Sequence, residues 1–222
     1  MKAIALLQPL LLLATASAPA PETIRDQVIA GARSQLPLAF ERTTHVVQVG
    51  GGTRTVTHRI ERWDGAAWSI VSINGKPPTA SDIREQAKAV AAQPIPGYHR
   101  LAGLLAAATT RDTDAQGRSV LIIPQLPPGT VVNAGTDISA HLRAEAIVVT
   151  NAGQPWVQRL TLTNREPFKM SWALKVLTFE QTSDYALDGN GRPRLASQAS
   201  TSAGTMFGIS GGQTSEVTFA YR

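Results

Sequence analysis

From Leu38 onward the chain is written mostly in runs of alternating side chains, each closed by a short turn of glycine, asparagine or aspartate. That pattern constrains the fold more than any other feature, because period-two runs between tight turns build antiparallel sheet. Phe40 to Val49 and Thr53 to Trp63 flank Gly50-Gly51-Gly52, a turn able to take positive φ, and read as one long hairpin. A third run puts Trp68, Ile70 and Ser72 on one face and Val71 and Ile73 on the other, and ends at Asn74-Gly75. Beyond about Thr109 the chain reads as strand and turn throughout. The main runs are Ser119 to Pro124, His141 to Thr150, Trp156 to Thr163, Met170 to Thr182 and Arg194 to Ser202, with a last strand after Gly211-Gly212.

Helical periods occur in three places. Thr23 caps a segment in which Ile24, Val28, Ile29, Ala32 and Leu36 recur at three- and four-residue steps before Pro37. Ser81 caps a second with Ile83, Ala87 and Val90, and Tyr98 to Ala107 makes a third with the stripe Leu101, Leu104, Leu105 and Ala108. The expected fold is therefore mainly β with helices (α+β): about ten strands in one large antiparallel sheet, an N-terminal helix and a central helical pair. These helices are too few to cover both faces. The sheet is expected to curl into a half-barrel, or incomplete barrel, that the helices plug or lid.

Ahead of the fold, Lys2, an apolar run from Ala3 to Leu13 and the small residues Ala14-Thr15-Ala16-Ser17-Ala18 spell a secretory signal peptide over residues 1–18, cleaved near Ala16 or Ala18. Its apolar run is interrupted by Gln8-Pro9 and falls short of the roughly 20 residues a membrane-spanning helix needs. The chain has no cysteine, so neither a lipid-bearing cysteine nor a disulfide is expected. Residues 19–222 are expected to form a single periplasmic domain held by its own core. The formal charge of +5 is scattered over 16 arginines and 5 lysines. Nucleic-acid binding shows a clustered basic footprint, which is lacking here; a mild attraction to anionic membrane surfaces is compatible with the charge.

Motif candidates resolve into turns. Gly208-Ile209-Ser210-Gly211-Gly212 matches a nucleophile elbow, but no histidine or aspartate follows it. Asp112-x-Asp114-x-Gln116-Gly117 opens like a calcium loop, yet the twelfth position is Ile123. His45 and His58 lie on the two arms of the first hairpin, where the count from the turn sets His45 opposite Thr57 or His58; lone strand histidines are mostly structural or solvated. No catalytic set, metal site or cofactor is expected. The tryptophans read as inward strand residues, with Trp68, Ile70, Trp172 and Leu174 as the expected lining of a cavity that receives an apolar molecule.

The stretch Trp68-Ser69-Ile70-Val71-Ser72-Ile73-Asn74-Gly75-Lys76-Pro77-Pro78-Thr79, and Arg165-Glu166-Pro167-Phe168, resemble segments of exported proteobacterial proteins. The order of helix, long hairpin, third strand, helical pair and strand meander is similar to the periplasmic lipoprotein-carrier (LolA-like) superfamily. That resemblance implies an incomplete barrel lidded by helices, whose apolar concavity holds acyl chains; it assigns no individual residue. The leading expectation is a soluble, non-catalytic periplasmic carrier for an apolar or acylated ligand, a lipid or a lipoprotein. Two other readings stay open: an envelope interaction or sensor module that binds a protein partner, and a secreted hydrolase with a dispersed site.

Overall fold

The computed structural model describes residues 23–91, 95–133 and 135–222; the expected signal peptide, Met1 to Ala18, lies outside them. The strands are β1 (Phe40–Gly50), β2 (Thr53–Trp63), β3 (Trp68–Ile73), β4 (Thr110–Thr113), β5 (Ser119–Ile123), β6 (Val132–Asn133), β7 (Thr136–Asp137), β8 (Leu142–Asn151), β9 (Gln154–Asn164), β10 (Phe168–Lys169), β11 (Leu174–Leu187), β12 (Pro193–Met206) and β13 (Ile209–Tyr221). The helices are α1 (Ile24–Arg33), α2 (Ala80–Ala91) and α3 (Leu101–Leu105), the last entered through a single tight turn over Tyr98–Arg100. One antiparallel sheet runs β3-β2-β1-β13-β12-β11-β9-β8-β5-β4, with β10 attached to β11 and the short β6–β7 pair standing apart. The last strand thus returns to pair with the first, from Phe40 opposite Tyr221 to Gly50 opposite Gly211. The sheet stays open between β3 and β4, a half-barrel-like arrangement.

Local chemistry accounts for most of these elements. The turns Gly51-Gly52, Asn74-Gly75 and Ala152-Gly153 all carry two consecutive positive φ values, the geometry that matches the right-handed twist of flanking strands. Extra residues at Val71, Gln158, Leu177 and Ala196 shift the register of their strands, and such bulges bend and coil a sheet. Curvature is also allowed by a row of glycines. Gly50, Gly211 and Gly204 stand side by side on β1, β13 and β12, and a Cβ on Gly211 would lie 2.8 Å from the Val49 carbonyl oxygen. At Gly204 a Cβ would run into the Lys175 carbonyl of the neighbouring strand.

Several sequence expectations shift. The bulge at Val71 turns the end of β3 over, so Ile73 rather than Ser72 shares the inward side with Trp68 and Ile70. Helix α2 is capped by Thr79, not Ser81: the Thr79 N–H donates to Asp82 Oδ2 at 2.7 Å and the Asp82 N–H donates back to Thr79 Oγ1 at 3.2 Å. Among its described side chains Gln86 is the buried one, while Ile83 is 53% exposed; the expected Val90 side chain lies outside the described ones. Helix α1 keeps its Thr23 cap and buries Val28, Ile29 and Ala32, but stops at Arg33 and leaves Leu36 in solvent. The run from Met170 is not one strand, since residues 170–173 form a bent loop between β10 and β11.

The core lies on one side of the half-barrel. Helices α1 and α3 lay Val28, Ile29, Ala32, Leu101, Leu104 and Leu105 against Leu121 and Ile123 of β5, Leu142, Ala144, Ala146 and Val148 of β8, and Val157, Leu160 and Leu162 of β9. Removing this apolar surface from water is the main stabilising term. The Gln158 bulge is anchored from within: the backbone N–H of Val157 donates to the buried Tyr98 hydroxyl at 2.9 Å, and the Tyr98 ring meets Tyr185 edge to face at 5.3 Å.

Candidate functional site

The inward face of the sheet changes character at β11. Three cross-strand rows make this visible. One reads Ala146, Leu160, Ser183, Gln198, Val217, Thr44 and Arg59 from β8 to β2. The next reads Ala144, Leu162, Gln181, Ser200, Ser215, Val46 and Thr57. A third continues as Phe179, Ser202, Gln213, Gln48 and Thr55. The first two rows are apolar on β8 and β9, beneath α1 and α3, and all three are rich in hydroxyls and amides beyond. In the uncovered stretch the outward residues of β12 and β13, Thr201, Thr214 and Glu216 among them, are exposed, whereas the inward ones are mostly half-buried. Some inward groups pair with each other: Gln198 Nε2 donates to Ser183 Oγ at 3.0 Å and Gln48 Nε2 to Gln213 Oε1 at 2.8 Å. Val46, Val217, Phe179 and Phe219 interleave with them, so this surface offers both apolar contact and polar partners.

The stretch is bounded at both ends. At one end Phe40 is fully buried within ring distance of Trp63, Trp68, Phe219 and Tyr221, at centroid separations of 5.4 to 6.0 Å. Above this aromatic base comes an ionic layer. Arg42 Nε donates to Glu61 Oε2 at 2.8 Å, Gln86 Nε2 of α2 donates to Oε1 at 2.9 Å, and Arg59 ion-pairs with the same carboxylate at 3.1 Å. The Arg42 guanidinium also lies 4.3 Å from the centre of the Trp68 ring. At the other end the glycine row forms the rim.

Beyond the rim, the β12–β13 hairpin turns on Phe207-Gly208, with Phe207 at φ 51°. An aromatic residue in the left-handed region costs about 1 kcal/mol relative to glycine. The Phe207 ring meets Trp172 at 5.2 Å. A separate cleft of about 330 Å³ opens between α1 and the tips of the β8–β9 and β11–β12 hairpins, lined by Gln35, Asn151, Gln154, Trp156, Leu187 and Arg192 among others. The buried Trp156 indole N–H beside it has no hydrogen-bond partner among the described residues.

The four residues expected to line a cavity are divided between the two ends. Trp68 and Ile70 stand at the aromatic and ionic end, Trp68 against Phe40 and beneath Arg42. Leu174 sits at the rim opposite Met206, and Trp172 projects from the bent loop, 87% exposed. Since β1 connects the ends with 11 residues, Trp68 and Trp172 are separated by about 30 Å of strand. The hydroxyl and amide rows between them are not among the residues the sequence pattern singles out; their one signal is the Ser/Thr/Gln content of every second position in β12 and β13. His45 and His58 do stand directly opposite one another, with Glu216 next in the row, on the outward face. Among the described residues no group of three histidines or acids is arranged to hold a metal ion. Ser210 lies inside β13, with strand rather than helix after it. Asp114 and Asp188 do turn chemistry, each accepting two backbone N–H groups of its own loop, which holds their carboxyl groups below the usual carboxylate range. No helix among the described residues is long and apolar enough to cross a membrane. Comparison with family models, curated proteins and solved structures gives no match.

Proposed function

We propose that this chain is an exported, non-catalytic binding or carrier protein of the periplasm, taking an amphiphilic ligand such as a lipid or the acylated end of a lipoprotein. One observation supports this above others: the inward rows pass from apolar to hydroxyl- and amide-bearing, and the second part lies outside the cover of the described helices α1 and α3. A ligand lying there would set its apolar portion against Phe179, Phe219 and Val217 and its polar portion on Ser200, Ser202, Ser215 and Gln213. Half-buried hydroxyls and amides favour such a ligand because they stay hydrogen-bonded when it leaves, to each other or to water. The resemblance to lipoprotein carriers in element order implies the same use of the fold.

Native mass spectrometry of the full chain, expressed with its own export segment, tests the proposal. The expected result is co-purifying lipid that disappears in Ser200→Trp, a variant that fills the middle of the inward rows, and persists in Trp172→Arg. A protein-only mass, with no uptake from lipid vesicles, overturns the carrier reading and favours a module that binds a protein partner.

A further inference from the structure

The end of the sheet beyond the glycine rim carries an apolar cluster that packs against nothing in the described chain. Trp172 is 87% exposed, Phe207 65%, Ile209 59% and Met206 53%, with Met206 and Ile209 directly opposite in register. These side chains are displayed by a firm scaffold. The backbone N–H of Met170 donates to the Leu174 carbonyl at 2.9 Å, Ser171 Oγ accepts the N–H groups of Ala173 and Leu174 at 3.2 and 3.1 Å, and the Phe207 N–H donates to the Ala173 carbonyl at 2.9 Å. The strained turn at Phe207 is a second, independent sign. An asparagine there would relieve the backbone, so the only gain the fold draws from phenylalanine is its edge contact with the likewise exposed Trp172.

Charge says what would cover the cluster. Between Glu166 and Glu180 the only charged residues are Lys169 and Lys175, and from Leu195 to Ser215 there are none. The two lysines stand opposite each other across β10 and β11, both exposed. Like charges in direct opposition repel, and an anionic surface relieves that repulsion. A second copy of this end would add two more positive charges, which disfavours self-association.

We propose that this end docks on an anionic lipid bilayer. Trp172, Phe207, Met206 and Ile209 enter the boundary between headgroups and acyl chains, while Lys169 and Lys175 reach lipid phosphates through their long stems. The contact is peripheral and reversible, and it stands whether or not the inward rows hold a ligand.

Sedimentation of the full chain with phosphatidylcholine vesicles, with and without phosphatidylglycerol, tests this, with tryptophan emission as a second readout. The expected result is several-fold stronger binding to the phosphatidylglycerol vesicles, weakened by salt, with a blue shift of emission. Trp172→Ser and Phe207→Asn each lower the partition by roughly tenfold. Lys169→Gln with Lys175→Gln removes the preference for phosphatidylglycerol. Phe207→Asn suits the turn, so an unchanged or raised urea midpoint separates lost binding from unfolding. The proposal is overturned if the unaltered chain fails to sediment with phosphatidylglycerol vesicles, if both aromatic variants bind as it does, or if it self-associates through Phe207 and ignores the vesicles.

Discussion

The two sides of this sheet are built from the same antiparallel ladders, yet the extended core lies under one of them and the other buries only the aromatic base around Phe40 and Trp63. On the β5–β8–β9 side, inward residues such as Leu142, Ala146 and Val157 are shut away beneath α1 and α3. On the β2–β1–β13 side, between the aromatic base and the rim, Thr44, Val46 and Ser215 are half-buried, and α2 reaches the sheet through Gln86. Backbone hydrogen bonds alone contribute little net stability, because the unfolded chain makes the same bonds to water. Stability is therefore concentrated under the helices and, to a smaller extent, at the aromatic base, and the stretch between that base and the glycine rim is a shell carried by them. That division leaves an inward surface free for something other than packing.

The sharpest way to break the comparison is to truncate one apolar residue on each side. Leu105→Ala, at a site with no exposure, is expected to cost about 3 kcal/mol, the range for a buried leucine that leaves a cavity. Val217→Ala, on a half-buried inward position of β13, is expected to cost less than about 1 kcal/mol. Urea titration of both variants decides it, and equal losses would mean that the uncovered side is packed after all.

A smaller effect is expected where the uncovered side buries an ionic contact. Glu61→Gln keeps the size of the side chain but takes the charge from beneath two partly covered guanidiniums, Arg42 and Arg59, the second of which keeps the attraction of Asp82. Removing one partner of a fully buried pair costs about 3–5 kcal/mol; with Arg42 and Arg59 partly solvated, about 2 kcal/mol is expected. Because Gln86 also holds this carboxylate, α2 should loosen first, with faster trypsin cleavage at Arg84 and Lys88. Unchanged cleavage would show that α2 is held by something else.

Tyr98 offers a test that works through pH. Burial pushes its phenol up to about 12 from an ordinary 10, so the folded chain keeps a proton that the unfolded chain releases. The sign follows: this contribution is fully present below about pH 10 and is lost as pH rises through 12. Burial pushes Tyr221 up to about 12 as well, and Tyr185 further still, so the alkaline decline is shared. Tyr98→Phe should flatten part of that decline, and cost about 1 kcal/mol at neutral pH because the Val157 N–H loses its acceptor. An alkaline limb identical in the variant would remove Tyr98 from the account.

How much of this was legible depended on whether a residue obeys its local pattern. The α3 stripe Leu101, Leu104, Leu105 and Ala108 is buried as its spacing demands, and the first hairpin closes with His45 opposite His58, within the expected count. The long antiparallel sheet followed from period-two runs and glycine turns. Misreadings cluster where one residue breaks the period. The bulge at Val71 reverses the faces of β3 after Ile70, and no local signal in Val-Ser-Ile announces it. Glycine pairs mark hairpins and so point to Gly211-Gly212 for the last turn, but those glycines serve close strand approach and the turn is Phe207-Gly208. Large aromatics usually face inward, which is the expectation for Trp172, but it lies in a loop that leaves it exposed. The site was less visible than the fold because serine, threonine and glutamine on alternate strand positions look the same facing water or facing a concavity.

The smallest expected effect bears on that misread turn, and its sign is the opposite of the others. Phe207 holds φ 51° and Gly208 φ 82°, the pair of values for which asparagine-glycine is the favoured dipeptide. Asn74-Gly75 at the end of β3 takes nearly the same angles, 50° and 76°, and so provides an internal reference. Phe207→Asn loses the edge contact with Trp172, an exposed pair worth a few tenths of a kcal/mol, and relieves backbone strain of about 1 kcal/mol. The net expectation is a gain of about 0.5 kcal/mol, read as a higher urea midpoint with unchanged slope. A loss instead would mean that the Phe207–Trp172 pair is a structural clasp between the β12–β13 hairpin and the loop before β11. In that case the uncovered side has a second small core at its rim, and the contrast between the two sides narrows.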